Sequence, residues 1–277
     1  MQHRINGTNI LITGAASGIG RALAQELFLK EGANLLLVDK NLEGLKELET
    51  ELKAQNTKAT ISIFEVDISS ETSIRDLVNE LKDTPIDILI NNAGIVGVGA
   101  FARTPIEDVQ RIIDVNLMGT IRFTHALLPF VLQSKRPSVI TITSAAGYVA
   151  APGLSAYSAS KFGLTGFMDA LRAELKGKVQ VCTVSPAFIR TGLALNATNK
   201  ETDPAKKKMD RFLQDMGDDP QTVVKAVVSA LKTNRKRVLV NAQAYVLYHL
   251  SRYAPWLSNM LIDLMYRKLK KDGVITE

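Results

Sequence analysis

Seven short runs of apolar, mostly β-branched residues punctuate the chain: NILIT, ANLLLVD, ATISIFEVD, IDILINN, SVITITS, VQVCTVS and RVLVN. Most are apolar along their whole length, the pattern of strands covered on both faces. Between them the spacing turns helical. Ile74, Leu77, Val78 and Leu81 stand at i, i+3, i+4 and i+7, and Leu42, Leu45, Leu48 and Leu52 make a similar stripe. Strand, helix, strand repeated this often predicts an α/β fold, a doubly wound parallel sheet of about seven strands with helices on both faces.

No repeat, low-complexity tract or Pro/Gly-rich linker divides the 277 residues, so a single domain over 1–241 is expected, with two additions. Residues 192–217 are a polar, lysine-bearing insertion, read as a surface loop or a lid over a substrate. Residues 242–277 run on past the last strand as an amphipathic helical extension rather than an independent domain. In it Trp256, Leu257, Met260, Leu261, Leu264 and Met265 make an apolar stripe, with Asn259, Asp263, Arg267 and Lys270 toward the other face. Pro255 separates this helix from one centred on YVLYHL. Arg252 and Asp263 would each cost about 2.5–3.5 kcal/mol at mid-bilayer, so a spanning helix is not expected. Three roles stay open for the tail: packing on the domain or a second subunit, closing a lipophilic pocket, or peripheral contact with a membrane surface through 245–271, aided by Arg267, Lys268, Lys270 and Lys271.

A formal charge of +6 permits contact with anions, but the basic residues are scattered rather than gathered with aromatics into a stripe, which speaks against nucleic-acid binding. The one cysteine, Cys182, lies in an apolar strand run and has no partner for a disulfide, which fits a reducing compartment. The first residues lack a secretory signal. A cytoplasmic protein is expected, with membrane association on the cytoplasmic face if the tail binds lipid. His3, His125 and His249 are too dispersed to suggest a metal site, and no metal is expected.

The first strand ends in Thr13 and Gly14 and passes through small residues into a helix opening near Gly18. Backbone amides at a helix N-terminus favour anions, and glycine lets a phosphate approach, so this is where a dinucleotide would sit; a tight strand-to-helix turn is the plainer reading. Asp39 closes the next strand 19 residues after Gly20, near the spacing at which a carboxylate accepts from a ribose 2′-hydroxyl. It would repel a 2′-phosphate and so favours NAD over NADP, an effect that Lys40 beside it would soften. Alternatively, Asp39 caps the helix that starts at Asn41.

Ser144 ends the fifth run, and after a stretch of small residues Tyr157 and Lys161 follow four apart, on one face if the segment is helical. A tyrosine at its ordinary pKa of about 10 is a poor base near neutrality, but an adjacent ammonium and an oxidised nicotinamide together would favour the ionised form. Ser144 would orient a substrate oxygen. Singly, each has a plain structural explanation; behind a dinucleotide loop, the three together suggest acid/base chemistry.

These features resemble the single-domain short-chain dehydrogenases/reductases, over roughly residues 7–241. TGAASGIG is similar to that family's TGxxxGxG loop through Thr13, Gly14, Gly18 and Gly20; NNAG, from Asn91 to Gly94, is similar to its motif after the fourth strand; and Asp67 in VDIS matches its adenine-contacting position. Asn116 in VNLMGT, Ser144, Tyr157 and Lys161 match the catalytic tetrad. The resemblance implies a Rossmann-type fold, with Asn116 holding a water that relays protons through Lys161 to Tyr157, and with Lys161 binding the nicotinamide ribose. It extends the cofactor set to Ser17, Ile19, Ile68, Asn91, Ala93, Gly94, Pro186, Ile189 and Thr191, the last two fixing the carboxamide. The chain departs from the pattern at Ala187, where the family commonly has glycine after Pro186.

The long tail looks like that of the lipid-active branch, which handles steroids, retinoids and long-chain alcohols or aldehydes. The expected activity is hydride transfer between NAD, or less readily NADP, and a small lipophilic alcohol or carbonyl, in a homodimer or homotetramer. The rivals are an NADP-dependent 3-oxoacyl reductase and, from another class, a nucleotide-sensing or membrane-attached binding protein without turnover.

Overall fold

All seven apolar runs contain strands, and all the strands are parallel. In the computed structural model, which describes residues 5–55, 58–82, 84–193, 197 and 204–271, they are β1 (Asn9–Thr13), β2 (Asn34–Asp39), β3 (Ile61–Glu65), β4 (Ile88–Asn91), β5 (Ser138–Ile142), β6 (Gln180–Ser185) and β7 (Arg237–Leu239). They form one sheet in the order β3-β2-β1-β4-β5-β6-β7. The direction of winding reverses between β1 and β4, which pair from Ile10 with Ile88 to Ile12 with Ile90. That reversal opens a crevice at the carboxyl edge of the sheet, the usual place for a ligand in such folds.

Ten α-helices are described: α1 (Gly18–Leu29), α2 (Leu42–Lys53), α3 (Glu71–Leu81), α4 (Ile106–Ile113), α5 (Thr120–Val131), α6 (Ser155–Glu174), α7 (Pro204–Met216), α8 (Pro220–Thr233), α9 (Ala242–Tyr253) and α10 (Pro255–Lys271). Alternation along the strands decides which helix covers which face. Ile10 and Ile12 of β1 turn toward Leu23 and Leu27 of α1, Leu45 and Leu48 of α2, and Val224 and Val227 of α8. Leu11, between them, turns toward Ile74 and Leu77 of α3, Phe123 and Leu127 of α5, and Met168 of α6. Both faces are covered, which is why the strands read as continuous apolar runs. Cys182 is fully buried on β6, and burial pushes its thiol up to about 12, so it is an inert core side chain.

Local signals place the helix starts. The Asn41 side chain accepts from the Gly44 amide at the head of α2, and Ser70 does the same for Ser73 at the head of α3. The helix after β2 is capped by Asn41, and Asp39 supports its entry by accepting from the Asn41 amide.

The insertion and the tail acquire definite places. Met209 of α7 is buried with Val96 and Val98 from the segment after β4, and Phe212, Leu213 and Leu269 of α10 pack against them. Residues 194–196 and 198–203 of the insertion, 1–4 with His3, and 272–277 lie outside the described residues. In α10 the side turned to the protein is Ser258, Ile262, Met265 and Leu269, at i, i+4, i+7 and i+11. The apolar stripe expected from the sequence is mostly on the other side: Trp256, Met260, Leu261 and Leu264 are exposed. The helix carries apolar residues on two faces, and the stripe read from periodicity is mostly the one turned to solvent.

Candidate active site

The glycine-rich turn is built by steric fit. Gly14 has φ +67° and Gly18 φ +54°, both in the left-handed region that glycine enters without strain. A Cβ on Gly14 would lie 2.8 Å from the Ala93 Cα, and one on Gly20 would lie 2.0 Å from the Gly14 carbonyl oxygen. The turn is thus pressed against the NNAG segment after β4. Thr13 Oγ1 accepts from the amides of both Asn92 and Ala93, and Asn92 Nδ2 donates to the carbonyls of Thr13 and Gly14. Asn92 is the residue sequence reasoning overlooked here, although it stands inside the motif that was read. Asn91 points elsewhere: its Nδ2 donates to Thr124 and Thr141 Oγ1 in the buried layer, fastening α5 to the sheet. Its contribution to a cofactor site is through the backbone path it anchors, not through its own side chain.

Ser17 stands at the N-cap of α1, yet its side chain makes no capping bond. The orphan amides of the first turn, at Gly18, Ile19 and Gly20, are left for a ligand at the positive end of the helix. Asp39 closes over the same turn. Its Oδ2 accepts from the Ala16 amide at 3.0 Å and its Oδ1 from the Asn41 amide at 3.0 Å. A Cβ built on Gly18 would lie 3.7 Å from the Thr191 side chain, so Thr191 sits across the turn, next to buried Ile189. Asp67 is exposed, with Oδ1 held by the Ser69 amide and hydroxyl, and Ile68 is buried beside it. An open helix end, glycines where a Cβ would fill the cradle and a carboxylate at the rim of β2 fit a dinucleotide. Ser17, Gly18 and Ile19 would hold its phosphates and Asp39 a ribose hydroxyl.

The second cluster lies beyond β5. Ser144 follows this strand and opens a 3₁₀ turn (Ala145–Gly147), with its Oγ accepting from the Ala146 amide at 3.1 Å. The carbonyl of Pro186 accepts from the Ala145 amide at 2.8 Å, joining the ends of β5 and β6. Gly147 allows that turn to lie on α6, since a Cβ there would meet Thr165 Oγ1 at 2.7 Å. Ala187 causes no strain: among the described residues only Lys82 and Asn234 are non-glycine residues at positive φ.

Tyr157 occupies the first turn of α6, and Lys161 follows one turn later with its Nζ 5.6 Å from the Tyr157 ring centroid. They share a face, as their spacing predicts. The lowering of the Tyr157 pKa expected from Lys161 together with an oxidised nicotinamide does not arise in the protein alone. Burial pushes the Tyr157 phenol up, and a hydrogen bond with Ser144 only partly offsets it. Lys161 is 4% exposed and donates to the Ile142 carbonyl at 3.3 Å, while burial brings its ammonium down to about 8. In the protein alone, desolvation outweighs the attraction between the two groups.

Asn116 is fully buried in a π-helical turn (Asp114–Gly119) between α4 and α5. Its Oδ1 accepts from the Ile95 amide at 2.8 Å, and its Nδ2 donates to the Ile95 carbonyl and to Ser160 Oγ. The side chain therefore locks the segment after β4 to α6, and one Oδ1 lone pair is left over. A Cβ on Gly94 would lie 3.2 Å from that oxygen and 3.6 Å from Lys161 Nζ, so Gly94, Asn116 and Lys161 meet at one point. Ser160, the partner of Asn116, was not singled out from sequence. Among the described residues, no group of three or more His, Cys, Asp or Glu side chains is gathered to hold a metal.

The family described as short chain dehydrogenase matches residues 8–202. The dehydrogenase/reductase SDR family member 7B of Xenopus laevis is 34% identical over 278 residues, covering 96% of this chain and 84% of that protein. Among solved structures, a short-chain dehydrogenase/reductase from Burkholderia phymatum in complex with NAD superposes with a TM-score of 0.82 at 24% identity, covering 92% of this chain and 96% of the other. A short-chain dehydrogenase from Sphingobium yanoikuyae in complex with NADPH gives 0.74 at 25% identity, covering 93% and 95%. With the fold, the glycine turn and the Ser144, Tyr157 and Lys161 cluster in place, the chain belongs to the short-chain dehydrogenase family.

Proposed function

We propose that the chain is an NAD(P)-dependent oxidoreductase that interconverts a lipophilic alcohol and its ketone or aldehyde, with NAD preferred. The observation that carries the substrate class is the wall around Tyr157. Tyr157 packs against a buried apolar cluster that includes Val96 and Val98 after β4 and Met209 of α7, and Leu154 before α6 and Leu269 of α10 pack against the same cluster. Such a wall favours a hydrocarbon flank beside the reacting oxygen and offers little to a charged carrier.

When bound, the nicotinamide would supply the hydride acceptor or donor. The chain's own groups handle the oxygen and its proton. Ser144, hydrogen-bonded with Tyr157, holds the substrate oxygen in line with the phenol. In reduction the Tyr157 O–H bond breaks and the proton passes to the substrate oxygen; in oxidation it returns. Burial raises the phenol's pKa in the protein alone, which keeps it in the protonated form that donates in reduction. Lys161 lies beside the phenolate that remains, and Asn116 fixes the backbone around that ammonium. Asp39 at the rim of β2 supports NAD, because a 2′-phosphate there would face a carboxylate.

The test measures NADH and NADPH oxidation with long-chain ketones, oxo-steroids, retinal and 3-oxoacyl thioesters, with Tyr157→Phe in parallel. The expected result is turnover that rises with hydrocarbon length, a preference for NADH of roughly tenfold or more, and a loss in Tyr157→Phe of about 10²–10⁴-fold with cofactor binding retained. Preference for NADPH and a 3-oxoacyl thioester would replace this reading by a 3-oxoacyl reductase. Cofactor binding without any turnover would favour a nucleotide-sensing protein.

A further inference from the structure

The outer surface of the C-terminal helices is the least satisfied apolar surface of the molecule. Tyr253 is 76% exposed, Trp256 70% and Leu264 52%, and Met260 and Leu261 lie exposed beside them. On α9 the rings of Tyr245, His249 and Tyr253 stand in a row, 4.2 Å and then 5.7 Å between centroids. Trp256 follows at the start of α10, where Met260, Leu261 and Leu264 are also exposed. Exposed apolar side chains gathered on two consecutive helices mark an interaction site rather than ordinary surface.

Charge indicates what covers it. Residues 242–271 hold five basic residues, Arg252, Arg267, Lys268, Lys270 and Lys271, against one acid, Asp263. Arg267, Lys268 and Lys271 are exposed in the last turns of α10, directly after the apolar stretch on the same side. A second copy docked through the same face would offer this basic group only Asp263 as a counter-charge, too little to neutralise it. A lipid surface suits both parts. Aromatic rings and Leu or Met side chains enter the headgroup boundary, while long basic side chains reach anionic headgroups. Among the described residues no helix is long and apolar enough to cross a membrane, so the contact would be one of helices lying flat.

We infer that the outer face of α9 and α10, centred on Tyr253, Trp256, Met260 and Leu264, docks on an anionic membrane surface. The opposite side of α10 packs Leu269 against the Val96, Val98 and Met209 cluster that Tyr157 also flanks, so the docking helix and the catalytic helix share one apolar support. The inference about docking stands on exposure and charge and does not depend on the proposed reaction.

Trp256 is the chain's single tryptophan, so its fluorescence reports on this face without any substitution. The full-length protein is mixed with phosphatidylcholine vesicles, with and without phosphatidylglycerol. Docking is expected to shift Trp256 emission to the blue, to expose it to quenching by brominated lipid, and to strengthen about tenfold or more when the anionic lipid is present, weakening again in high salt. The paired substitution Met260→Gln and Leu264→Gln should abolish the shift while turnover of a short, water-soluble ketone is kept. An unchanged spectrum with anionic vesicles would overturn the inference. So would vesicle binding that leaves Trp256 unquenched, or a tryptophan already shielded in a dimer that the same substitutions dissociate. Loss of turnover with docking intact would refute only the proposed reaction.

Discussion

The glycine turn at β1 and the helices at the C-terminus both contribute to the site, yet they are specified in opposite ways. At the turn, backbone meets backbone. Gly14 lies against Ala93 and Gly20 against Gly14, at distances where no Cβ fits, and four hydrogen bonds join Thr13 and Gly14 to Asn92 and Ala93 across the gap. At the tail, side chains meet solvent, and exposed Trp256, Met260 and Leu264 could be exchanged without disturbing any neighbour. Close backbone packing narrows the sequence to one or two residues, and open side-chain packing leaves the sequence to be set by a partner.

The sharpest way to break that contrast is Gly20→Ala. The added methyl would sit 2.0 Å from a carbonyl oxygen that belongs to backbone and cannot swing away. A destabilisation of roughly 3–5 kcal/mol is expected, with loss of dinucleotide binding, read by thermal unfolding and by cofactor fluorescence titration. A variant with wild-type stability would mean that the turn is looser than its contacts imply.

Next in size is a change that should strengthen the fold while removing function. Lys161 has its pKa brought from 10.5 down to about 8 by burial. The unfolded chain then holds more protons than the folded one between pH 8 and 10.5. The penalty is therefore present in full below pH 8 and is relieved as the pH rises toward 10.5. Lys161→Met removes that penalty at the expense of the bond to Ile142. The variant should gain about 2 kcal/mol at pH 7, with the advantage shrinking above pH 8, and should lose about 10²–10⁴-fold in turnover. Equal stability of the two proteins from pH 6 to 10 would show that Lys161 is not desolvated in solution.

Much of this was legible in the sequence. The seven strands announced themselves because burial on both faces leaves no polar alternation to confuse the reading, and Leu45, Leu48 and Leu52 of α2 face the core as their spacing requires. The site was legible where residue chemistry is rare, as with Tyr157 and Lys161. It was illegible where a residue acts through a neighbour's backbone. Nothing in the spacing of Asn92 shows that its amide seals two carbonyls of the turn, or that Ser160 braces Asn116. The desolvation of Tyr157 and Lys161 was illegible too, because a charge's attraction is visible in sequence, whereas the depth of burial is known only after folding. The tail was legible only in part. Apolar residues on two sides of α10 give one periodicity two solutions, and the core selected Ile262, Met265 and Leu269.

A link between the two regions offers a smaller test. Arg237 of β7 lies 5.5 Å from the ring of Tyr148, just after the Ser144 turn, and 5.6 Å from that of Tyr248 on α9, whose hydroxyl it also bonds. Its other arm reaches Asp169 of α6, and the two tyrosine rings meet edge to face at 4.9 Å. Through these contacts the tail helix braces the loop that carries Ser144. Arg237→Met should cost about 1–3 kcal/mol, because Asp169 keeps Arg172 as a partner. It should raise KM for the ketone severalfold, with a smaller change in kcat, as expected for a positioning residue. A fall in kcat with KM unchanged would mean that Arg237 acts on the chemical step instead.

The smallest expected effect is the most informative about the tail. Leu264 and Leu23 are the same residue type on helices of the same molecule, one 52% exposed and the other fully buried against β1. Leu23→Ala should cost about 2–5 kcal/mol, because it removes buried methyl groups and leaves a cavity. Leu264→Gln should stay within about 0.5 kcal/mol in the isolated protein, because water already reaches the side chain. The difference should hold at every protein concentration if the outer face of α10 is free in solution. If Leu264→Gln instead costs more than about 1 kcal/mol, and the cost fades on dilution, then the face is buried against a second copy. The tail would then belong with the core, specified by packing within an assembly rather than by the surface of a membrane.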